Sequence, residues 1–378
     1  MPLIRSLLAF MGSRATTLCP IVLIPRLADW GIIRFAGRCP KLGFVADCGK
    51  LSRGRFAAGG MVGRIQVAFS TDERFVAQTG VALHTLLKRA SRPVAVTVLS
   101  SGLAEADRHR LEAVARRFGA MIRVIAVDPN LAADLPILHR RMSPAVYFRL
   151  WLADFLPGNM DRILYLDSDI ICRGDIAPLF DADLGGATLG AVRQFRTSRW
   201  GSVLLRPSYR ASLMRADLFN SGVLLIDLKR WRARGIADAV LAWRRASGQL
   251  TRLHDQDALN AILRDDWHQL SARWNFGNWF YRHTGYCFAR NRARLAPMIV
   301  HYSHYLRSDP YRAEYAAALA ECVRDYGFAL KDVPPLTLLS RAKRLIRQLH
   351  VFCMPFGYAP ARPYGEGRTI ARTVGDPC

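Results

Sequence analysis

The feature that most constrains the fold is an alternation of apolar strands with helices that begins at Ile65. Strands are predicted at 65–69, 94–99, 121–127, 162–166, 188–192 and 222–226, and helices at 75–88, 105–118, 145–156, 229–243 and near Ala258. Such alternation favours an α/β fold with a central, mostly parallel sheet. In such a sheet, ligands bind beyond the carboxyl ends of the strands.

The strongest local signal is the segment 162–171, Arg-Ile-Leu-Tyr-Leu-Asp-Ser-Asp-Ile-Ile. Its strand ends at two carboxylates, Asp167 and Asp169, which alternation points in the same direction. Two such acids suit a hard divalent cation. A pair of acids that only caps a turn is the alternative, but unpaired acids at a buried strand end are costly, so the strand context favours a metal.

A second apolar run, 298–301, ends at His301. A hydrogen-bonded core histidine is the common interpretation of such a residue. As a third ligand beside two aspartates, however, it would favour Mn²⁺ over Mg²⁺, because imidazole is a softer donor than oxygen.

Two further polar clusters are candidates for ligand contact. In 218–227, a predicted Asn-Ser-Gly turn would bring the amide of Asn220 close to a ligand, with an ordinary tight turn as the alternative. In 254–260, Asp255, Gln256 and Asp257 begin a predicted helix. Helix capping explains one such acid, but not four polar residues in a row.

Taken in order, these segments resemble glycosyltransferase family 8, the retaining enzymes related to lipopolysaccharide α-galactosyl- and α-glucosyltransferases and to glycogenin, over about residues 65–311. The resemblance implies a GT-A type nucleotide-sugar-binding fold. It also implies transfer of a hexose, galactose or glucose, from a UDP-sugar to a glycan or lipid-linked acceptor, in bacterial lipopolysaccharide or surface polysaccharide biosynthesis.

Site roles follow from the same resemblance. Asp167, Asp169 and His301 match the metal ligands, with Mn²⁺ as the expected ion and Mg²⁺ as the alternative. Asp255, Gln256 and Asn220 match the catalytic residues beside the reacting carbon, where an oxocarbenium-like charge develops. Because an amide is a poor nucleophile, Gln256 suits front-face attack better than a covalent intermediate. The residues expected to bind the nucleotide sugar are Ser70, Thr71, Asp72, Arg149, Asp167, Ser168, His304 and Arg307.

The chain departs from the family pattern at two places. From the position of His301 the family often reads His-x-x-Gly-x-x-Lys-Pro-Trp. Here His304 and Arg307 stand at the Gly and Lys positions, or, with a two-residue insertion, the segment 309–311 aligns with Lys-Pro-Trp instead. After the predicted strand 188–192 come Arg193 and Gln194, where relatives often carry an acid that faces the sugar. We therefore expect a changed diphosphate contact and a changed donor preference.

Net charge separates the two ends of the chain from its middle. Lys and Arg number 54 against 30 Asp and Glu, a formal net charge of +24, and half of that excess lies in residues 1–60 and 331–378. We predict a poorly ordered basic N-terminal extension over 1–60, a transferase domain over 61–330 and a basic membrane-association segment over 331–378. Its amphipathic helix, 336–352, would lie on an anionic membrane surface, or alternatively pack on the domain.

Targeting patterns complete the prediction. The N-terminal apolar stretch is short and interrupted by Arg14, and no window is long enough to span a bilayer. The eight cysteines form no C-x-x-C pair. These features predict a cytoplasmic protein that is peripheral on the inner face of the cytoplasmic membrane.

Two other functions fit parts of the sequence. A Mg²⁺-dependent phosphatase also uses a strand-end Asp-x-Asp, but usually on the first strand of its domain. A basic nucleic-acid-binding module would explain the net charge, but no recognition motif supports it, so nucleic acid is not an expected partner.

Overall fold

The computed structural model describes residues 63–133, 135, 137, 143–194, 218–247, 254–277, 296–302 and 312–329. The strands are β1 (Ile65–Thr71), β2 (Val94–Ser100), β3 (Met121–Ala126), β4 (Arg162–Leu166), β5 (Ile170–Cys172), β6 (Leu189–Gln194), β7 (Leu218–Asp227), β8 (Trp267–Leu270), β9 (Phe276–Gly277) and β10 (Ile299–His301). They form a seven-stranded sheet of order β3-β2-β1-β4-β7-β6-β8 and a three-stranded sheet of order β5-β10-β9.

The large sheet is mostly parallel, as predicted. Among the strands that the structure describes, only β7 breaks the pattern, since it runs antiparallel to both β4 and β6. Every residue of β1 and β2 is buried, which is typical of parallel strands covered on both faces.

Helices cover the two faces of this sheet. The α-helices are α1 (Val76–Leu87), α2 (Glu105–Arg117), α3 (Leu152–Phe155), α4 (Ala177–Phe180), α5 (Leu228–Ala233), α6 (Ile236–Ser247), α7 (His254–Ile262) and α8 (Arg312–Tyr326), and 3₁₀ helices span Pro129–Ala132, Pro144–Trp151 and Ala272–Trp274. Alternation along β1 divides the core: Val67 and Phe69 pack with α1 and α2, whereas Ala68 packs with the Pro144–Trp151 segment and α7.

Three predicted elements differ in the structure. The helix predicted at 145–156 is a 3₁₀ helix followed by the short α3, in a segment where five consecutive side chains, 147–151, are buried and packing outweighs local helix preference. The helix predicted at 229–243 is divided into α5 and α6 at Gly235, whose φ of +54° is a left-handed conformation that ends a helix. The predicted turn at Asn220 lies within β7.

Asn220 lies in β7 beside an irregularity in the pairing. Ala191 of β6 pairs with Leu224, but the next residue, Val192, pairs with Asn220, so the register shifts between them. Gly222 lies between these two pairings, and its carbonyl accepts a hydrogen bond from the backbone N–H of Asp167, 2.8 Å away. This shift in the pairing places 220–222 against the end of β4.

Several predicted features lie outside the described residues: the extension 1–60, the helix 336–352, His304 and Arg307. Within the described ranges, no helix combines the length and the apolar character needed to cross a bilayer.

Candidate active site

Three potential metal ligands meet at the carboxyl end of β4. Asp167 follows β4, Asp169 precedes β5, and His301 ends β10, which pairs with β5 so that His301 lies opposite Ile170. One ligand atom from each residue lies within 4.8 Å of the other two. The Nε2 atom of His301 is 3.1 Å from Oδ1 of Asp169 and 3.8 Å from Oδ2 of Asp167. The structure thus brings together the three residues predicted as ligands.

The surroundings of this triad fit a divalent cation. His301 is buried, and its Nδ1 atom lies 3.0 Å from Oδ1 of Asn275, which leaves Nε2 on the side of the carboxylates. A Cβ atom at Gly222 would lie 2.3 Å from Cε1 of His301 and 2.8 Å from Oδ2 of Asp167, so only glycine permits this approach. Two carboxylates and an imidazole are a donor set for a first-row divalent ion such as Mn²⁺.

Charge around His301 is strongly acidic. Burial alone lowers the pKa of this histidine, but the carboxylate of Asp169, and after it that of Asp167, raise the pKa above its usual value. The cluster therefore attracts positive charge.

Arg149 connects the metal triad to Asp255, one of the predicted catalytic residues. Its Nη2 atom donates to Oδ1 of Asp167 at 2.8 Å, and its Nε atom lies 3.1 Å from Oδ2 of Asp255. Its Nη1 atom donates to the carbonyl of Ser221 at 2.6 Å, and the guanidinium lies 4.4 Å from the ring centroid of Tyr165. The buried guanidinium of Arg149 thus holds two carboxylates in place, and its contact with the donor stays a prediction.

Asp255 lies in the first turn of α7 and is buried. Burial raises its pKa, Arg149 lowers it and the nearby charge of Asp167 raises it, with a net value of about 6. Near neutral pH the carboxylate is thus charged and held by Arg149.

The amides of Asn220 and Gln256 contact each other in the buried pocket. Nδ2 of Asn220 donates to Oε1 of Gln256 at 3.1 Å and to Oε1 of Gln194 at 3.0 Å. The backbone N–H of Ser221 also donates to Oε1 of Gln256 at 3.2 Å. The oxygen of Gln256 therefore accepts two hydrogen bonds, which fix its direction and moderate the negative potential that it offers.

The segment predicted to contact the nucleotide lies at the ends of β1 and β4. The hydroxyl of Ser168 donates to the carbonyl of Ser70 at 2.9 Å, and the hydroxyl of Thr79 lies 2.7 Å from that of Thr71 and 2.8 Å from that of Ser168. Oδ1 of Asp72 accepts the backbone N–H groups of 74 and 75 at 2.8 and 2.9 Å. Asp72 thereby shapes the turn that follows β1.

Sequence reasoning missed three residues of this site. Tyr165 donates its hydroxyl to Oδ1 of Asp167 at 3.1 Å, and its position two residues earlier on the same strand face was a usable signal. Thr79, one helical turn into the helix after β1, carried no motif. Asn275 follows a short 3₁₀ helix, and nothing in its local sequence marks it.

Comparisons with known proteins agree with this geometry. The sequence profile described as "Glycosyl transferase family 8" matches residues 66–306. General stress protein A of Bacillus subtilis (strain 168) is 28% identical over 271 residues, which cover 66% of this chain and 91% of that protein. Lipopolysaccharide 1,3-galactosyltransferase of Salmonella typhimurium (strain LT2) is 28% identical over 203 residues, which cover 53% of this chain and 60% of that protein.

A solved structure matches over a longer stretch. The crystal structure of the galactosyltransferase LgtC in complex with donor and acceptor sugar analogs has a TM-score of 0.56 and 27% identity to this chain, and the match covers 74% of this chain and 100% of that one. The α/β fold with its mostly parallel central sheet is therefore of the GT-A type.

Proposed function

Because the chain belongs to glycosyl transferase family 8, we propose that it moves a hexose, galactose or glucose, from a UDP-sugar to a glycan acceptor with retention of configuration. The chain is a glycosyltransferase; the donor, the acceptor and the setting, bacterial lipopolysaccharide or surface polysaccharide biosynthesis, are our proposals. They are supported by similarity to a lipopolysaccharide 1,3-galactosyltransferase, of whose length the match covers 60%, and to LgtC with its donor and acceptor sugar analogs.

The observation that carries the proposal is the continuity of two groups of side chains. The triad Asp167, Asp169 and His301 is joined through Arg149 to Asp255, and Gln256 is the next residue along α7. A UDP-sugar has the matching layout, because its diphosphate lies next to its anomeric carbon. When bound at the triad, Mn²⁺, with Mg²⁺ as the alternative, would supply Lewis-acid stabilisation of the diphosphate leaving group.

The residues of the chain then act on the sugar. The carboxylate of Asp255 offers negative potential to an oxocarbenium-like carbon, and Arg149 keeps that carboxylate fixed and charged. Gln256 orients the donor with an amide whose oxygen is already held by Asn220 and Ser221. The amide of Gln256 is a poor nucleophile, and the carboxylate of Asp255 is bound by the buried guanidinium of Arg149. Front-face attack therefore fits this site, with the acceptor proton passing to the leaving phosphate oxygen.

The test is a double replacement, Asp167→Asn with Asp169→Asn. We expect donor hydrolysis of UDP-galactose and UDP-glucose, measured with Mn²⁺, to fall at least about 100-fold, because two anionic ligands are lost. Asp161→Asn is the matched control, since Asp161 is an exposed aspartate beside the other end of β4. Wild-type hydrolysis in the double variant would exclude the proposed site.

We also propose a cytoplasmic, peripheral location on the inner membrane face, with a lipid-linked glycan as the acceptor. The support is the basic amphipathic pattern at 336–352 and the positive charge of 331–378.

A further inference from the structure

A chain of buried hydrogen bonds runs from the metal triad to Gln256, and Asn275 lies at its centre. Oδ1 of Asn275 lies 3.0 Å from Nδ1 of His301, and Nδ2 of Asn275 donates to Oδ1 of Asn220 at 2.7 Å. Nδ2 of Asn220 in turn donates to Oε1 of Gln256 at 3.1 Å. Asn275 has no exposed surface, and Asn220, Gln256 and His301 are all buried.

Each bond in this chain has a fixed direction. An amide oxygen only accepts, so Nδ1 of His301 carries a hydrogen, and Nε2 lies on the side of the carboxylates. Oδ1 of Asn220 accepts from Asn275 and, at 2.9 Å, from the backbone N–H of Gly222. Its Nδ2 must therefore point the other way, toward Gln256. Rotating any one amide by half a turn would set oxygen against oxygen, or N–H against N–H, in a buried pocket.

The side chain of Asn275 has both of its polar atoms in this pocket. It lies between the 3₁₀ helix Ala272–Trp274 and β9, and the hydrogen bonds of its amide run to His301 and Asn220. Because its oxygen faces His301 and its nitrogen faces Asn220, the residue is placed where it can act on both halves of the site at once.

We propose that Asn275 is a positioning residue that couples the metal ligand His301 to Gln256 beside the reacting carbon. It fixes the tautomer and ring direction of His301 with its oxygen, and the amide direction of Asn220, and through it that of Gln256, with its nitrogen. The metal half of this inference rests on the described geometry, and the Gln256 half rests on the proposed function.

Asn275→Asp separates the two halves. The carboxylate still accepts from Nδ1 of His301 but no longer donates to Asn220. We expect the full-length variant to bind Mn²⁺, measured without any sugar nucleotide, as tightly as wild type or more tightly, because a carboxylate behind a ligating histidine raises its basicity. We expect kcat of UDP-hexose hydrolysis to fall at least about 10-fold, with KM for the donor little changed, because the amide of Asn220 turns.

Asn275→Leu removes both contacts of the amide, the one to His301 and the one to Asn220, with a side chain of similar shape. We expect Mn²⁺ affinity to fall by about 10–100-fold, the usual loss for a partner behind a metal ligand, together with kcat. Asn130→Asp and Asn130→Leu are matched controls at an exposed asparagine in the 3₁₀ helix Pro129–Ala132, and should leave both values unchanged.

The proposal fails if Asn275→Asp loses Mn²⁺ affinity as Asn275→Leu does, or if Asn275→Leu binds Mn²⁺ normally. Should Asn275→Asp not fold, a double-variant cycle decides: the kcat losses of Asn275→Leu and Gln256→Ala should combine to less than their product, whereas full multiplication would overturn the coupling. A wild-type chain that binds Mn²⁺ but hydrolyses no UDP-hexose would instead refute the proposed donor, and the Mn²⁺ affinities would still test the His301 half.

Discussion

Two buried histidines of the described chain show how neighbouring charge decides what burial does. His301 ends β10 beside the carboxylates of Asp167 and Asp169. His84 lies within α1, where its Nδ1 atom is 3.0 Å from the hydroxyl of Tyr326 and its Nε2 atom is 3.3 Å from Oε1 of Glu321, both on α8. His301 lies in the candidate metal site, whereas His84 lies at the contact between α1 and α8.

The pKa values of the two histidines move in opposite directions, although burial lowers both. Burial lowers the pKa of each imidazole, and at His301 two carboxylates overcome this effect. At His84, burial again comes first; Glu321 opposes it, but Lys88 and Arg117 add to it, so the pKa stays below its usual value. A histidine in an apolar run is thus uninformative by itself, and the number of carboxylates within reach is what identifies a ligand.

The largest expected effect is on activity. His301→Ala should lower kcat/KM for UDP-hexose hydrolysis with Mn²⁺ by at least about 100-fold, because losing a ligand costs more than losing a residue behind it. The melting temperature should stay near that of wild type. His109→Ala, at an exposed histidine of α2, is the control. A fully active His301→Ala variant would mean that His301 is a core histidine like His84, and the two would no longer differ in role.

The counterpart at His84 should affect stability instead. His84→Ala removes contacts with Tyr326 and Glu321 and an edge-on contact with the Phe118 ring, 5.4 Å away between centroids. We expect a loss of about 2–3 kcal/mol in the free energy of unfolding, from a cavity and from the lost hydrogen bond to the hydroxyl of Tyr326. Chemical denaturation measures it, and kcat at low temperature should be unchanged. Loss of kcat without loss of stability would contradict the assignment.

The smallest expected effect is a pH dependence of the stability that His84 contributes to the contact between α1 and α8. Since the folded pKa of His84 lies below its unfolded value of 6.5, the unfolded state takes up its proton first as pH falls. The contribution of His84 is therefore complete above about pH 7 and declines below pH 6.5 toward the folded pKa. The difference in unfolding free energy between wild type and His84→Ala should shrink from pH 7.5 to pH 5.5. A constant difference would mean that burial does not control this group.

Sequence reasoning reached the parts of the molecule that local patterns determine. The strand at 162–166 and its two aspartates lie as predicted, because an apolar run and period-two alternation depend only on nearby residues. His301 joins them because its strand pairs with β5, a contact that the resemblance to a known family implied but that spacing alone does not.

The parts that pattern reasoning did not reach depend on contacts between distant segments. The register shift beside Asn220 depends on the pairing of β7 with both β4 and β6, so the sequence Asn-Ser-Gly by itself suggested a turn. The 3₁₀ helix Pro144–Trp151 is buried in the core, where its neighbours outweigh helix propensity. Asn275 acquires its importance from Asn220, 55 positions away, and from His301, 26 positions away.

Gly222 offers a way to sort related sequences by inspection. Its backbone has an ordinary φ, so its requirement is one of space: a β-carbon would lie 2.3 Å from the ring of His301. A relative that carries any larger residue at this position cannot hold the histidine and the first aspartate in the arrangement seen here. Such a chain must bind its cation elsewhere or work without one. The residue at this single position can therefore mark a change of chemistry across a family tree before any enzyme is assayed.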